Sequence, residues 1–500
     1  MILGPAAVLA AVILVPLGAV LWMAGSPSMG PGDWAAVRFT LIQAALSAAL
    51  SVGLAVPLAR ALSRRDFPGR AAIVTLLGAP FILPVIVAVL GLVAVFGRGG
   101  WANAALGTLG LPPVSIYGLQ GVVAAHVFFN LPLCTRLILQ GWQSVPAERF
   151  RLAASLGASP RDISRLIERP MLREVAPGAF ALVFLLCLSS FAVALTLGGG
   201  PRATTVELAI YQAFVFEFDV PRAATLAAIQ LILAGAAVAI ALRIGLPGAE
   251  SAGWGRPALR YDLRAWDMPV IALAATLIAL PLTAVALRGV PSLLDLPPQV
   301  WSAALRSVLV ALASAALCLA LALPLALGLA RRGSGWAEGL GTVTIAVSPL
   351  VIGTGAFVLL FPIVDPRAVA LPVTATVNAV MALPFALRAL LPEARRTERI
   401  HGRLAASLGM RGLARLRLLD LPRLRRPLGF SAGLAAALSM GDLGVIALFA
   451  DAERATLPLQ LYRLMGAYRM DEAMGAAVLL LALSLALFWL FDRGGRLAEA

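Results

Sequence analysis

Long apolar runs alternate with short polar ones along the whole 500-residue chain. A helix crossing a bilayer needs about 20 apolar residues. Stretches of that kind lie near 5–25, 37–60, 71–97, 117–142, 175–198 and 222–244, then near 268–288, 301–330, 339–361, 372–392, 428–450 and 473–491. The pattern predicts an all-α polytopic membrane protein of about twelve spanning helices, six in each half. A stretch mixing Gly, Pro, Arg and Asp separates the two sets. The expected organisation is a first half over 1–245, a cytoplasmic linker over 246–267 and a second half over 268–500. Pro57, Pro84, Pro324 and Pro349 fall inside apolar runs, where they would kink helices around a central path or adjust packing in an ordinary bundle.

The polar stretches are related to one another. Arg151-Leu152-Ala153-Ala154-Ser155-Leu156-Gly157 recurs letter for letter as Arg403-Leu404-Ala405-Ala406-Ser407-Leu408-Gly409, an offset of 403 − 151 = 252. The same offset pairs Pro132 with Pro384, Arg136 with Arg388 and Pro170 with Pro422. Upstream, Pro57 and Arg64-Arg65 match Pro324 and Arg331-Arg332 at offset 267; downstream, Thr205 and Tyr211 match Thr456 and Tyr462 at 251. Each repeat has an even number of spans and shows its Arg-rich loop on the same face, so the repeats are parallel rather than inverted.

Charge enters through its distribution. Segment 143–174 holds six Arg against four acids, and 393–427 holds ten against three. The alternate loops are poor in Arg, with one against three acids over 198–221 and three against four over 450–472. This is the positive-inside pattern, which puts the rich loops and both termini in the cytoplasm. It explains the net charge of +15 through the lipid bilayer, without nucleic acid as a partner. Composition agrees, since 13% charged residues and a mean hydropathy of +0.92 contrast with the roughly 25% charge of soluble domains.

Few residues could carry catalysis or hold a metal. His126 and His401 are the two histidines, and Cys134, Cys187 and Cys318 lie singly in apolar runs, so no metal cluster is expected. The chain has no Lys, which a Walker A loop requires, so it does not hydrolyse ATP by that chemistry. His126 stands opposite Asn378 at offset 252, which suggests a polar contact between helices. Asp442, beside Gly441 and Gly444, is an acid within an apolar run. It is either a group facing a solute path or a structural, hydrogen-bonded one.

Within each duplicated loop, Ala-Ala-Ser-Leu-Gly is followed by an aliphatic position and then Pro: Gly157, Ile167, Pro170 and Gly409, Leu419, Pro422. Leu152, Ala153 and Leu156 would share one helical face. Gly157 would end the helix at positive φ, and each Pro would start or bend the next one. The pattern resembles the cytoplasmic EAA loop of bacterial ABC importer permeases: Glu-Ala-Ala, three residues, Gly, nine residues, Ile-x-Leu-Pro. The resemblance implies a type I importer permease fold and a helix–turn–helix loop docking in a groove on an ATPase subunit, one ATPase copy per loop. It implies that ATP and Mg²⁺ belong to that partner, and that this chain is a transport subunit without a cofactor. Arg151 and Arg403 stand where the family has Glu, so the salt bridge expected of that Glu cannot form here.

Longer stretches resemble the thiamine ABC transporter permeases: Phe81-Ile-Leu-Pro-Val-Ile-Val-Ala-Val-Leu-Gly91, the run from Leu197-Gly-Gly-Gly-Pro to Ile210-Tyr-Gln212, and Ser439-Met-Gly-Asp-Leu-Gly-Val-Ile-Ala-Leu-Phe449. Membership would imply a bacterial inner-membrane location and a periplasmic thiamine-binding protein as partner, delivering thiamine or its phosphates. Thiamine carries a fixed positive charge on an aromatic ring, so its route should offer aromatic faces and acid. Phe128, Phe129, Phe191 and Asp442 are the path candidates. Glu207, on the Arg-poor side, is a candidate contact for the binding protein or a solvated loop charge. Ferric-iron and sulfate permeases share the fold and form the alternative. A secondary transporter would carry ionisable groups in several spans and no docking loops.

Overall fold

The computed structural model describes residues 3–24, 29–77, 83–244, 264–333, 347–450 and 453–497. Every regular element among the described residues is helical. Among the described residues, eleven helices are long and apolar enough to cross a bilayer. The segment expected near 339–361 is represented by a helix of 12 residues, because 339–346 lie outside the described residues. The expected linker also lies outside them up to residue 263.

In chain order the first half contains α1 (Leu3–Met23), α2 (Pro31–Arg64), α3 (Val85–Phe96), α4 (Leu119–Ser144), α5 (Ala147–Ser155), α6 (Arg169–Leu188), α7 (Ala192–Leu197), α8 (Val206–Val215) and α9 (Val220–Ile244). The second contains α10 (Asp267–Gly289), α11 (Pro298–Arg332), α12 (Pro349–Leu360), α13 (Ala370–Ser407), α14 (Leu421–Met440), α15 (Gly444–Phe449), α16 (Leu457–Gly466) and α17 (Met470–Leu497). Of the four prolines expected to kink helices, Pro57 and Pro324 lie inside α2 and α11. Pro84 and Pro349 instead begin α3 and α12, where a missing N–H leaves no bond unmade.

Helices in lipid associate by close packing of small side chains rather than by expelling water. Ala44, Ala48, Ala55 and Ala59 form such a buried stripe on α2, which packs on α4 and α6. The two halves also exchange elements: α1 packs on α12, and α10 packs on α3. Glycine permits both crossings. A Cβ on Gly91 of α3 would stand 2.6 Å from the carbonyl oxygen of Pro281, and one on Gly355 of α12 would stand 2.1 Å from that of Pro16.

On the Arg-poor side each long helix is tied to a short one. Thr40 of α2 accepts a hydrogen bond from the Val206 N–H at 2.9 Å. Ser307 of α11 accepts one from the Leu457 N–H at 2.8 Å. These bonds hold the first residues of α8 and α16, whose N–H groups have no partner within their own helices.

Candidate functional site

The duplicated heptad ends a helix in the same way twice. Gly157 adopts φ +70° and Gly409 φ +67°, the left-handed region that side chains rarely enter. In the first copy the Ala158 N–H donates to Ala153 O at 2.9 Å and the Gly157 N–H to Ala154 O at 3.1 Å. In the second, Met410 donates to Ala405 at 2.9 Å and Gly409 to Ala406 at 3.1 Å. Ser155 and Ser407 each return their hydroxyls to the carbonyl three residues back, Leu152 and Leu404. Arg151, Ala154, Arg403 and Ala406 are exposed, Ala153 is half-buried and Ala405 is buried.

Leu152 and Leu156 stand exposed on the first loop, as do Leu404 and Leu408 on the second. A third leucine joins each pair: Leu166 and Leu418 are each 71% exposed, whereas Ile167 and Leu419, the aliphatic positions singled out by spacing, are half-buried. Pro170 and Pro422 occupy the second positions of α6 and α14. In front of each lies a π-helical turn, Ser164–Glu168 and Leu416–Asp420, closed by the Arg169 N–H to Ser164 O and the Leu421 N–H to Leu416 O. A proline ring collides with the carbonyl one turn back, and a widened turn relieves that collision.

The last residue of each π turn is an acid that sequence reasoning did not single out. Glu168 is 3% exposed and pairs with Arg64, whose guanidinium is 1% exposed; Arg60 Nε lies 3.5 Å away. The Trp142 indole donates to the same carboxylate at 3.4 Å. Asp420 pairs with Arg331 at 2.5 Å, with Arg415 Nε at 3.8 Å. The available signal was an acid two residues before Pro in both copies, at the common offset.

Both long helices leading away from the loops break farther along. α6 stops before 189–191 and resumes as α7; α14 stops before 441–443 and resumes as α15. Equivalent polar clusters sit beside the breaks. Gln43 donates to Cys187 O at 2.8 Å, and Ser47 Oγ lies 3.3 Å from His126 Nδ1. In the second half Ser314 Oγ lies 2.9 Å from Ser439 Oγ, which also accepts from Asn378 at 3.0 Å. His126 and Asn378 therefore each make a polar contact within their own half.

Asp442 lies in the second break, where its Oδ1 accepts from the Gly444 N–H at 3.2 Å. Its Oδ2 has no hydrogen-bond partner among the described residues. A Cβ on Gly444 would stand 3.7 Å from Asp442 Oδ1 and 3.8 Å from Phe191 Cδ1, so two path candidates from opposite halves meet at this glycine. Phe191 in turn packs edge-on to Tyr211 at 5.2 Å, an aromatic that sequence reasoning had not placed here. Phe128 and Phe129 pack edge-on to each other at 5.4 Å, in an apolar cluster with Val193 and Leu197 rather than around Asp442.

Glu207 requires a correction. It is fully buried in the first turn of α8, beside the Gln230 and Ser348 side chains, and presents no carboxylate to an outside partner. Its neighbours in sequence, Val206 and Leu208, are buried as well, so the whole turn lies inside the bundle.

No family model matches the chain. Curated relatives match it over almost its whole length. The chain is 42% identical over 474 residues to the thiamine transport system permease protein ThiP of Brucella abortus (strain 2308), covering 92% of this chain and 87% of that protein. It is 42% identical over 476 residues to the ThiP of Salmonella typhimurium and 41% to that of Escherichia coli K12, covering 92% of this chain and 89% of each. The sulfate transport system permease protein CysW of Synechocystis is 26% identical over 170 residues, 32% of this chain.

Proposed function

The chain belongs to the family of thiamine transport system permeases, and from that membership we propose that it carries thiamine inward across a bacterial cytoplasmic membrane. It is the membrane-spanning subunit of an ABC importer, with the Arg-rich loops and both termini on the cytoplasmic side. The observation that carries the coupling half of this reading is the pair of loops. Two helices end in the same glycine-terminated geometry and display the same three exposed leucines. Such a surface suits an apolar groove on a partner. One ATPase copy binds each loop; ATP and Mg²⁺ are held and ATP is hydrolysed there, while this chain contributes movement. A binding protein delivers the solute on the opposite side.

The transport half rests on the helix breaks. Asp442 keeps one buried carboxylate oxygen without a hydrogen-bond partner, and Phe191 and Tyr211 pack close by, the acid and the aromatic rings that a cationic ring would need. Backbone that leaves the helix at membrane depth is tolerated where it lines a cavity or is buried in protein. Phe128 and Phe129 pack with Val193 and Leu197 and are not assigned direct contact.

ATP-driven uptake of labelled thiamine into vesicles holding this chain, its ATPase and its binding protein tests the reading. Unlabelled thiamine should block uptake, and ferric iron and sulfate should not. Uptake of iron or sulfate instead would overturn the substrate and keep the importer. Asp442→Asn should lower uptake at limiting thiamine by about tenfold, the loss expected when a hydrogen-bonded charge partner is removed. Unchanged uptake would return Asp442 to a structural role.

A further inference from the structure

The start of α6 ought to be a weak joint. A π turn holds fewer good hydrogen bonds than a regular turn, and Pro170 follows it directly, so this is where a long helix bends most readily. The same holds for Leu416–Asp420 and Pro422 ahead of α14. A push delivered at Gly157 or Gly409 would be absorbed at such a joint and never reach the breaks at 189–191 and 441–443. Yet the chain places the joint between the docking loop and the path, twice, at the same offset.

Each joint carries a brace. The acid that ends the π turn points into the protein and grips an arginine in the last turn of a neighbouring helix, Glu168 with Arg64 of α2 and Asp420 with Arg331 of α11. The braced helices run 34 and 35 residues without a break. Farther along, α2 and α6 are joined again beside the break, by Gln43 donating to the Cys187 carbonyl. α11 and α14 are joined by Ser314 and Ser439, three residues before Asp442. Two helices fastened at both ends move as one body, and the joint between them is bypassed.

On the reading of the chain as an ATPase-driven importer, we infer that Glu168 and Asp420 are positioning residues for transport. Each locks the entry of α6 or α14 to the end of α2 or α11, so that displacement of the docking loop reaches the helix breaks undiminished. They touch neither thiamine nor ATP. Their loss should therefore leave docking and ATP hydrolysis in place and cut the work those deliver.

The test uses the assembled transporter in vesicles and reads thiamine imported per ATP hydrolysed. Glu168→Gln with Asp420→Asn keeps shape and removes both charges; the ratio should fall about tenfold while the ATPase still co-purifies with the chain. Exchanging the acids, Glu168→Asp with Asp420→Glu, keeps both braces and should hold the ratio within about threefold. An uncharged variant that imports as much per ATP as the unaltered transporter overturns the inference. So does one that loses uptake only in proportion to ATPase bound.

A second variant guards against failure to fold. Arg64→Met with Glu168→Gln removes both charges together, so that neither is left buried and unpaired. Import per ATP should stay as low as in Glu168→Gln alone, measured on chain that still binds its ATPase; a ratio restored to that of the unaltered transporter overturns the inference. Absence of ATP-driven uptake by the unaltered assembly would instead overturn the importer reading beneath it, a result distinct from any of these.

Discussion

The two loops present the same face from different mountings. In the first, α4 ends at Ser144, the chain turns at Val145-Pro146, and the loop helix α5 starts anew. In the second, α13 runs through without interruption to Ser407. Glu398 stands where the first half has Pro146, and it pairs with Arg415 and, at 3.7 Å, with Arg331. Beyond the glycine the first loop is capped by Ser159, which accepts from the Asp162 N–H at 3.3 Å while the Ser159 N–H donates to Asp162 at 3.0 Å. The second has Arg411 at that point and Gly412 at φ +56°. What both copies keep is the glycine-terminated turn and three exposed leucines; the second adds exposed Ile400 and Leu413 where the first has Glu148 and Arg161, and the support differs throughout. A surface is held to one shape when something must fit it, whereas a support needs only stiffness, and stiffness has several solutions.

The brace should show the largest difference between halves. Arg64→Met removes a guanidinium that is 1% exposed from a carboxylate that is 3% exposed and should destabilise the chain by about 3 kcal/mol, Arg60 at 3.5 Å offsetting part of the loss. Arg331 is 23% exposed, so water can take its place beside Asp420, and Arg331→Met should cost less, about 1–2 kcal/mol. Thermal unfolding of the purified protein in detergent compares them; equal losses would erase the distinction between a buried pair and a partly solvated network.

The glycines should behave alike. No heavy atom beyond its immediate chain neighbours lies within 4 Å of a Cβ built on Gly157 or Gly409, so alanine fits sterically and strain comes from the backbone, about 1–2 kcal/mol each. A loss of that size at the docking face corresponds to roughly tenfold in affinity for the ATPase, and it should be the same for either single substitution. Unequal losses in a co-purification or uptake assay would show that the loops do not dock equivalently.

The smallest effect belongs to the linkage at Pro146. Pro146→Glu copies the second half and lets α4 run on toward α5. Helix continuity there should slow amide exchange over residues 147–150 and change uptake by no more than about threefold, since one restored hydrogen bond is worth about 0.5–1.5 kcal/mol. A larger loss of uptake would mean that the first loop needs its break, and the difference in mounting would then be functional.

Hydropathy found most of the spans because transfer into lipid adds up residue by residue along a helix, whatever that helix packs against. The glycine that ends the helix in each duplicated loop was legible for a similar reason, as positive φ is a property of one residue. Ile167 and Leu419 were marked by spacing, but their neighbours Leu166 and Leu418 are the exposed ones, because the π turn shifts the register by one residue. Glu207 was read as an external charge from its place in an Arg-poor loop, and the turn that carries it folds back inside.

The sequence by itself determined roughly where the apolar helices lie, the duplication, and where the helices of the duplicated loops end. Each of these depends on single residues or on sums over one segment. Only the tertiary structure decided that α1 lies on α12 and α10 on α3, that Phe191 meets Asp442 at Gly444, and that Glu168 and Asp420 reach Arg64 and Arg331. Spans that are apolar all round carry no stripe to say which face turns inward. Rotation and neighbours are set by close fits such as Gly91 on Pro281 and Gly355 on Pro16, and those exist only once both surfaces are present.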